Sequence, residues 1–399
     1  MSLNQTPSSE RIHIGIFGKR NAGKSSLINA ITGQEAALVS EIKGTTTDPV
    51  YKPMELLPLG PVVFIDTPGL DDEGSLGKLR VQKSIVVLEK ADLVLLVVDG
   101  SLGLEKEDAE FIKDLERRKI PSLIVYNKCD LETKPVGTQE FPIIFVSAYT
   151  GKGIFELKER LARLLPEKKQ ERRLVADLLK PLDLVVLVVP IDKSAPKGRL
   201  ILPQQQVIRD VLEAGAISVV VRDTELEETL KCLGKRPRLV ITDSQVFPQV
   251  NARTPKDIWL TSFSILFARY KGNLYRAVEG AQVLEELKSG DRILISEGCT
   301  HHRQCEDIGT VKLPKWIQEY AGKKAEYYFT SGGDFPKEQL ADYRLIVHCG
   351  GCMLKEREIQ NRVAQAVKAG VPITNYGILI AYMKGILSRS LEPFPEMKA

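Results

Sequence analysis

The chain is 399 residues long, with 43% apolar and 27% charged residues, a balance that fits a globular protein of two or three domains. Lys and Arg exceed Asp and Glu by 56 to 52, too small an excess to mark a nucleic-acid or membrane-surface binder. Apolar runs such as Leu93–Val98 and Leu184–Val189 stop at six residues where a membrane span needs about 20, and Met1–Glu10 carries no apolar secretory core. A cytoplasmic location is expected, in which the six cysteines serve as thiols or metal ligands, not disulfides.

Ile12–Phe17 reads as a buried strand, and Gly18-Lys19-Arg20-Asn21-Ala22-Gly23-Lys24-Ser25 follows it directly. This is the pattern G-x-x-x-x-G-K-S/T, a loop whose backbone N–H groups cradle phosphates at the start of a helix, here Ser26–Ile31. Lys24 is placed to reach the β- and γ-phosphates and Ser25 to hold Mg2+. The next strand, Val62–Ile65, ends in Asp66-Thr67-Pro68-Gly69. Asp66 is expected to hold Mg2+ through water and the Gly69 N–H to sense the γ-phosphate. Leu123–Tyr126 ends in Asn127-Lys128-Cys129-Asp130. A carboxylate there accepts from both N1–H and N2–H of guanine, which adenine lacks, so Asp130 selects GTP. Val146-Ser147-Ala148 follows a further strand and can offer backbone N–H to the guanine oxygen. Each element sits at the carboxyl end of a strand, where ligands bind in open α/β sheets. The domain closes on the amphipathic stretch Ile154–Leu165, with Phe155, Leu157, Leu161 and Leu164 at helical spacing, and the charged run Glu167–Arg173 reads as a solvated linker.

These motifs resemble a Ras-like GTPase of the translation-factor kind, nearest the TrmE–Era group. Gly44-Thr45-Thr46-Thr47-Asp48 resembles that group's first switch, with Thr46, or its neighbours Thr45 and Thr47, as the threonine on Mg2+. Asn21 resembles the asparagine that holds K+ in potassium-activated members; the other reading is a loop hydrogen bond. Leu70 stands where Ras-type enzymes carry a water-positioning glutamine. Slow intrinsic hydrolysis, on the order of 10⁻³ s⁻¹, is therefore expected, with Lys24, Asn21 and Thr46 as the catalytic candidates.

From about Leu174 to Lys271, Leu184–Val189, Ile217–Arg222 and Leu239–Asp243 read as strands, with helical stretches near Gln204–Glu213 and Glu225–Leu233. Two or three strands imply a small core, and a self-association role, a homodimer, is expected. The remainder alternates again: strands at Arg292–Ser296, Glu326–Thr330, Leu345–His348 and Pro372–Asn375, and helices at Tyr275–Leu287, Lys315–Ala321, Lys355–Ala369 and around Ile378–Leu387.

Four of the six cysteines fall in this last part. Cys299-Thr300-His301 follows one strand and His348-Cys349-Gly350-Gly351-Cys352 another, so a parallel sheet can bring the two motifs together. The glycine pair lets backbone wrap an inorganic core, and a helix beginning near Met353–Lys355 favours a net negative cluster. Three thiolates with a weaker fourth ligand suit a [4Fe–4S] cluster. Zinc on Cys299, Cys305, Cys349 and Cys352 is the rival, although the Cys299–Cys305 gap exceeds the two to four residues usual in zinc knuckles.

Cys-x-His, 46 residues, then His-Cys-x-x-Cys resembles the signature of the [FeFe]-hydrogenase maturation GTPases, the HydF family. That resemblance implies an α/β chain of three domains: a Ras-like P-loop GTPase over 1–168, then smaller parallel-sheet domains for dimerisation over 169–271 and iron–sulfur binding over 272–399. It implies Cys299, Cys349 and Cys352 as cluster thiolates, with His301, His348 or Glu306 as candidate fourth ligand. It further implies a scaffold that receives a di-iron precursor from radical maturation enzymes and delivers it to the hydrogenase apoprotein, with no nucleic-acid or membrane partner. The alternative is a ribosome- or tRNA-associated GTPase with an appended zinc module. From Lys271 onward, however, 18 Lys/Arg face 16 Asp/Glu with no basic stripe.

Overall fold

The computed structural model describes residues 11–33, 49–56, 59–67, 86–132, 141–164, 173–191, 200–298, 307–332, 334–336 and 339–397. The chain divides into two compact units, Met1–Gln170 and Glu171–Ala399.

The first unit is built on β1 (Ile12–Phe17), β2 (Val50–Leu56), β3 (Gly60–Asp66), β4 (Leu93–Asp99), β5 (Ser122–Asn127) and β6 (Ile143–Phe145), in the order β2-β3-β1-β4-β5-β6 among the described residues. All neighbours run parallel except β2 and β3, whose short connection permits only the antiparallel pairing. Alternate residues feed two cores on opposite faces: Ile14, Leu95, Val97 and Val125 on one, Val94, Leu96, Val98 and Ile124 on the other. Burial on both faces is why these strands read as continuous apolar runs. The helix Ile154–Leu164 packs through Ile154, Leu157 and Leu161. Phe155, expected on that face, is 79% exposed, which corrects the reading of the stripe by one position.

The second unit contains two all-parallel sheets. One comprises β7 (Leu184–Val188), β8 (Ile217–Val221), β9 (Leu239–Thr242) and β10 (Trp259–Ser262), ordered β10-β9-β7-β8. The other comprises β11 (Arg292–Glu297), β12 (Glu326–Ser331), β13 (Leu345–His348) and β14 (Ile373–Asn375), ordered β12-β11-β13-β14. The α/β class with a P-loop domain and two further parallel-sheet domains is thus as expected.

The small separate core expected for the middle segment is not. The sheet gains a fourth strand, β10, and one continuous apolar core runs from Leu174 and Val185 through Leu266 and Ala277 to Val347, Ile380 and Phe394. Buried polar links cross the same seam. Asn375 Nδ2 donates to Ser264 O at 3.1 Å, while Thr374 Oγ1 donates to Ala277 O at 2.7 Å within the last segment. Arg389, 8% exposed, donates to the carbonyls of Asn251, Thr254 and Pro255 at 3.1, 3.0 and 2.6 Å and to Asn251 Oδ1 at 2.7 Å. Thr254 and Pro255 lie in the loop ahead of β10 and Asn251 in the last turn of the helix Phe247–Arg253, so no ladder satisfies these carbonyls.

Replacing Arg389 by Met strands those buried carbonyls, so the Arg389→Met variant should lose about 3 kcal/mol of stability. Urea unfolding followed by far-ultraviolet dichroism measures this, with the loss confined to the transition of the second unit.

Candidate functional site

In the first unit the residues singled out in the phosphate loop follow β1 directly. Gly18 has φ 143, Asn21 φ 61 and Gly23 φ 87. A Cβ on Gly18 would stand 2.1 Å from Val97 O, and one on Gly23 would stand 2.3 Å from Asn127 Nδ2. The loop therefore needs glycine at both positions, and Asn21 is a residue that tolerates the left-handed conformation. Gly23 caps the helix Lys24–Thr32. Ala22 is buried in the core and Ser26 is exposed on the first turn.

Lys24 Nζ donates to Gly18 O and Lys19 O, each at 2.8 Å, which holds the ammonium across the mouth of the loop. Ser25 Oγ donates to Asp66 Oδ2 at 2.9 Å. Asp66 Oδ1 is buried with no hydrogen-bond partner among the described residues. Burial pushes the Asp66 carboxyl above the usual range, while Ser25 and Lys24 oppose the rise. A buried, half-satisfied carboxylate beside a serine hydroxyl suits a hydrated divalent cation.

Asn127, 2% exposed, bridges the two nucleotide loops: Nδ2 donates to Ala22 O at 3.0 Å, and Oδ1 accepts from the Ala148 N–H at 3.0 Å. Lys128 has φ 63 and reaches Asp99 Oδ2 at 2.5 Å. Ser147 is fully buried and caps the Thr150 N–H at 3.1 Å. Asp130 is exposed at the end of this edge. Thr46 and Gly69 lie outside the described residues. Sequence reasoning missed Lys19, which pairs with Glu105 and with Glu107 at 2.6 Å, and Asp99, the partner of Lys128. Position at a strand's carboxyl end was the available signal for Asp99.

In the second unit, β11 and β13 are adjacent and parallel with Ser296 opposite His348. The two cysteine motifs therefore leave the sheet from neighbouring strand ends. The Cys349 N–H donates to Ser296 O at 2.9 Å, and the Gly298 N–H donates to Cys349 Sγ at 3.0 Å. A Cβ on Gly298 would stand 2.6 Å from Leu354 Cδ1. Gly351, at φ 64, would bring one to 2.7 Å from Ile359 Cδ1. The helix begins at Glu356, slightly later than expected.

Burial pushes the Cys352 thiol up to about 11; Cys349 adds to the rise and Lys271 opposes it. Lys271, 4% exposed at the end of the helix Phe263–Tyr270, donates to Leu354 O at 2.7 Å. A backbone N–H on Cys349 Sγ, and a buried ammonium nearby that opposes the rise of the Cys352 thiol, fit an anionic thiolate–metal centre on a Gly-Gly turn.

Cys299, His301, Cys305 and Glu306 lie outside the described residues, and among the described residues no three His, Cys, Asp or Glu side chains converge on a metal position. His348 Nδ1 lies 2.8 Å from Cys349 O and Nε2 lies 2.9 Å from Arg362 Nη1, so both ring nitrogens are engaged. Neither Lys271 nor Arg362 was legible as part of this site, because each reads as an ordinary surface cation. Cys129 is half-buried and Cys232 exposed.

Residues 13–128 match the family model described as 50S ribosome-binding GTPase. Residues 174–272 and 275–393, together more than half of the chain, match the models described as Hydrogen maturase F dimerization domain and Hydrogen maturase F tetramerization domain. The GTPase Der of Kosmotoga olearia is 34% identical over 197 residues, 44% of this chain and 44% of Der. The tRNA modification GTPase MnmE of Nitrosomonas europaea is 37% identical over 158 residues, 39% of this chain and 35% of MnmE. The chain thus spans less than half the length of these curated relatives. An Era variant from Aquifex aeolicus, solved with GDP and aluminium fluoride, aligns with a TM-score of 0.34 at 22% identity over 56% of this chain and 98% of its own. Among the described residues no helix is long and apolar enough to cross a membrane. With a GTPase domain followed by both of that family's characteristic domains in order, the chain belongs to the hydrogen maturase F family.

Proposed function

We propose that this protein is a GTP-hydrolysing scaffold of [FeFe]-hydrogenase maturation, which holds a [4Fe–4S] cluster and carries a di-iron precursor to the hydrogenase apoprotein in the cytoplasm. The observation that carries the reading is the register of β11 on β13, which sets the Gly298 N–H on Cys349 Sγ and starts both cysteine motifs at one sheet edge.

Cys299, Cys349 and Cys352 would hold three irons, and the fourth would keep an exchangeable ligand, which is the chemistry the cluster supplies when bound. The chain's own part is to present the thiols on tight glycine turns and to hold Lys271 against the loop. The raised Cys352 thiol means that metal uptake would release its proton.

In the first unit, Lys24 and the backbone of Gly18–Ser26 would hold the phosphates. Ser25, Asp66 and Thr46 would hold Mg2+, Asn21 would hold K+, and Asp130 with Ser147 and Ala148 would read guanine. The absence of a glutamine at Leu70 supports slow turnover suited to a switch. Self-association is supported by the two oligomerisation models and by edge strands that leave apolar side chains exposed: Ile217 and Val220 on β8, Tyr328 and Phe329 on β12.

Anaerobic reconstitution with iron and sulfide tests the scaffold reading. About four irons and four sulfides per chain, with an electron paramagnetic resonance signal on reduction, are expected and should be lost in Cys349→Ala and Cys352→Ala. One tightly held zinc and no reducible cluster would overturn it in favour of the RNA-linked GTPase.

Base selection is tested with Asp130→Asn, which should weaken GTP by roughly 10–100-fold and favour xanthosine triphosphate, whose 2-oxo group accepts where guanine donates. For the potassium site, hydrolysis should be faster in KCl than in NaCl at equal ionic strength, and Asn21→Ala should remove the difference. Equal rates in the two salts for the unmodified protein would discard that role.

A further inference from the structure

The helix Glu356–Lys368 carries a strongly polar sequence, yet Arg362 on it is only 4% exposed. Its guanidinium reaches the carboxyl ends of β11 and β13. Nη1 lies 2.9 Å from His348 Nε2 and 3.5 Å from Ser296 Oγ. Nη2 donates to Gly332 O at 2.7 Å and lies 3.4 Å from Glu358 Oε1. The cation also sits 5.2 Å from the ring centre of Phe335.

His348, itself 4% exposed, turns its other nitrogen, Nδ1, to Cys349 O at 2.8 Å. A carbonyl oxygen accepts only, so Nδ1 carries the hydrogen. A guanidinium donates only, so Nε2 contributes its lone pair. The ring is fixed in one tautomer and one orientation, and the lone pair an iron would need is already directed at a permanently charged donor. A metal-bound histidine commonly shows the same Nδ1–H to carbonyl contact with the metal on Nε2; here Arg362 occupies that position. Freeing Nε2 would also leave part of a buried guanidinium unpaired, a costly exchange.

We propose that His348 is a positioning residue, clamped by Arg362, and not a ligand of the cluster. The loop His348–Cys352 then offers iron two thiolates, and the exchangeable position is served from outside this loop. The clamp acts through the Cys349 carbonyl, which fixes the backbone that presents both sulfurs. This inference rests on the reading that Cys349 and Cys352 hold a cluster.

The test uses the full-length, reconstituted protein grown with isotopically labelled histidine and examined by pulsed electron paramagnetic resonance. No directly bonded nitrogen coupling should depend on His348: the spectrum should show none, or one that persists unchanged in His348→Asn. A strong nitrogen coupling that disappears in His348→Asn overturns the proposal while leaving the cluster reading intact. Failure of the unmodified protein to take up a cluster overturns both.

As an independent arm, Arg362→Met should surrender iron to a chelator about tenfold faster and show a lower reduction potential, because a nearby cation is removed. Arg362→Lys keeps the charge without the planar fork, so it should restore the potential and not the retention. Unchanged retention and potential in an Arg362→Met protein of normal thermal stability would also overturn the clamp. Should that variant fail to fold, the histidine-coupling measurement on the unmodified protein decides alone.

Discussion

The placing of the cysteine loop in the second unit depends on one pairing, β13 laid parallel to β11 with Ser296 opposite His348. These strands are separated by about fifty residues of sequence, and only a crossover connection can join parallel neighbours. Once the register is set, each strand's exit is determined. Cys349 is drawn down onto Ser296 by a backbone bond, and its sulfur meets the Gly298 N–H. A slip of β13 by one residue would turn Leu345 and Val347 away from the shared core that now buries them. The same apolar packing that stabilises the sheet therefore fixes where its sulfur atoms point.

The backbone of the phosphate loop was legible in the sequence. Phosphate binding imposes backbone conformations that few residues can adopt, so its chemistry is written locally: Gly18, Asn21 and Gly23 all have positive φ. The buried strands were equally plain, because burial on both faces leaves unbroken apolar runs such as β4 and β7.

What escaped was what depends on contacts distant in sequence. β10 is a four-residue strand with two hydroxyl side chains, and only its neighbour β9 makes it one. Lys271, Arg362 and Arg389 each read as surface cations, and their burial is decided by acceptors 83, 14 and about 135 residues away. Phe155 shows the converse: helical spacing alone could not choose between it and Ile154, and packing did.

The two sheets of the second unit do not behave as separate bodies. The helix Phe263–Tyr270 follows the first sheet, yet Ser264 and Lys271, at and just after that helix, bond to Asn375 and to the cysteine loop of the second. The residues that present sulfur and the exposed edges β8 and β12 thus belong to one continuous core. A change at either edge is therefore made on the same packed body that carries Cys349 and Cys352.

The anchoring of Arg389 has a consequence for the order in which the protein is made. Its acceptors, the carbonyls of Asn251, Thr254 and Pro255, leave the ribosome some 135 residues before the guanidinium that satisfies them. During that interval these carbonyls lack the guanidinium donor, and the core behind them lacks Ile380, Ile386 and Phe394. The segment carrying the cysteines is synthesised inside this window. The core shared by both sheets is therefore completed only after Arg389 and Phe394 have been added.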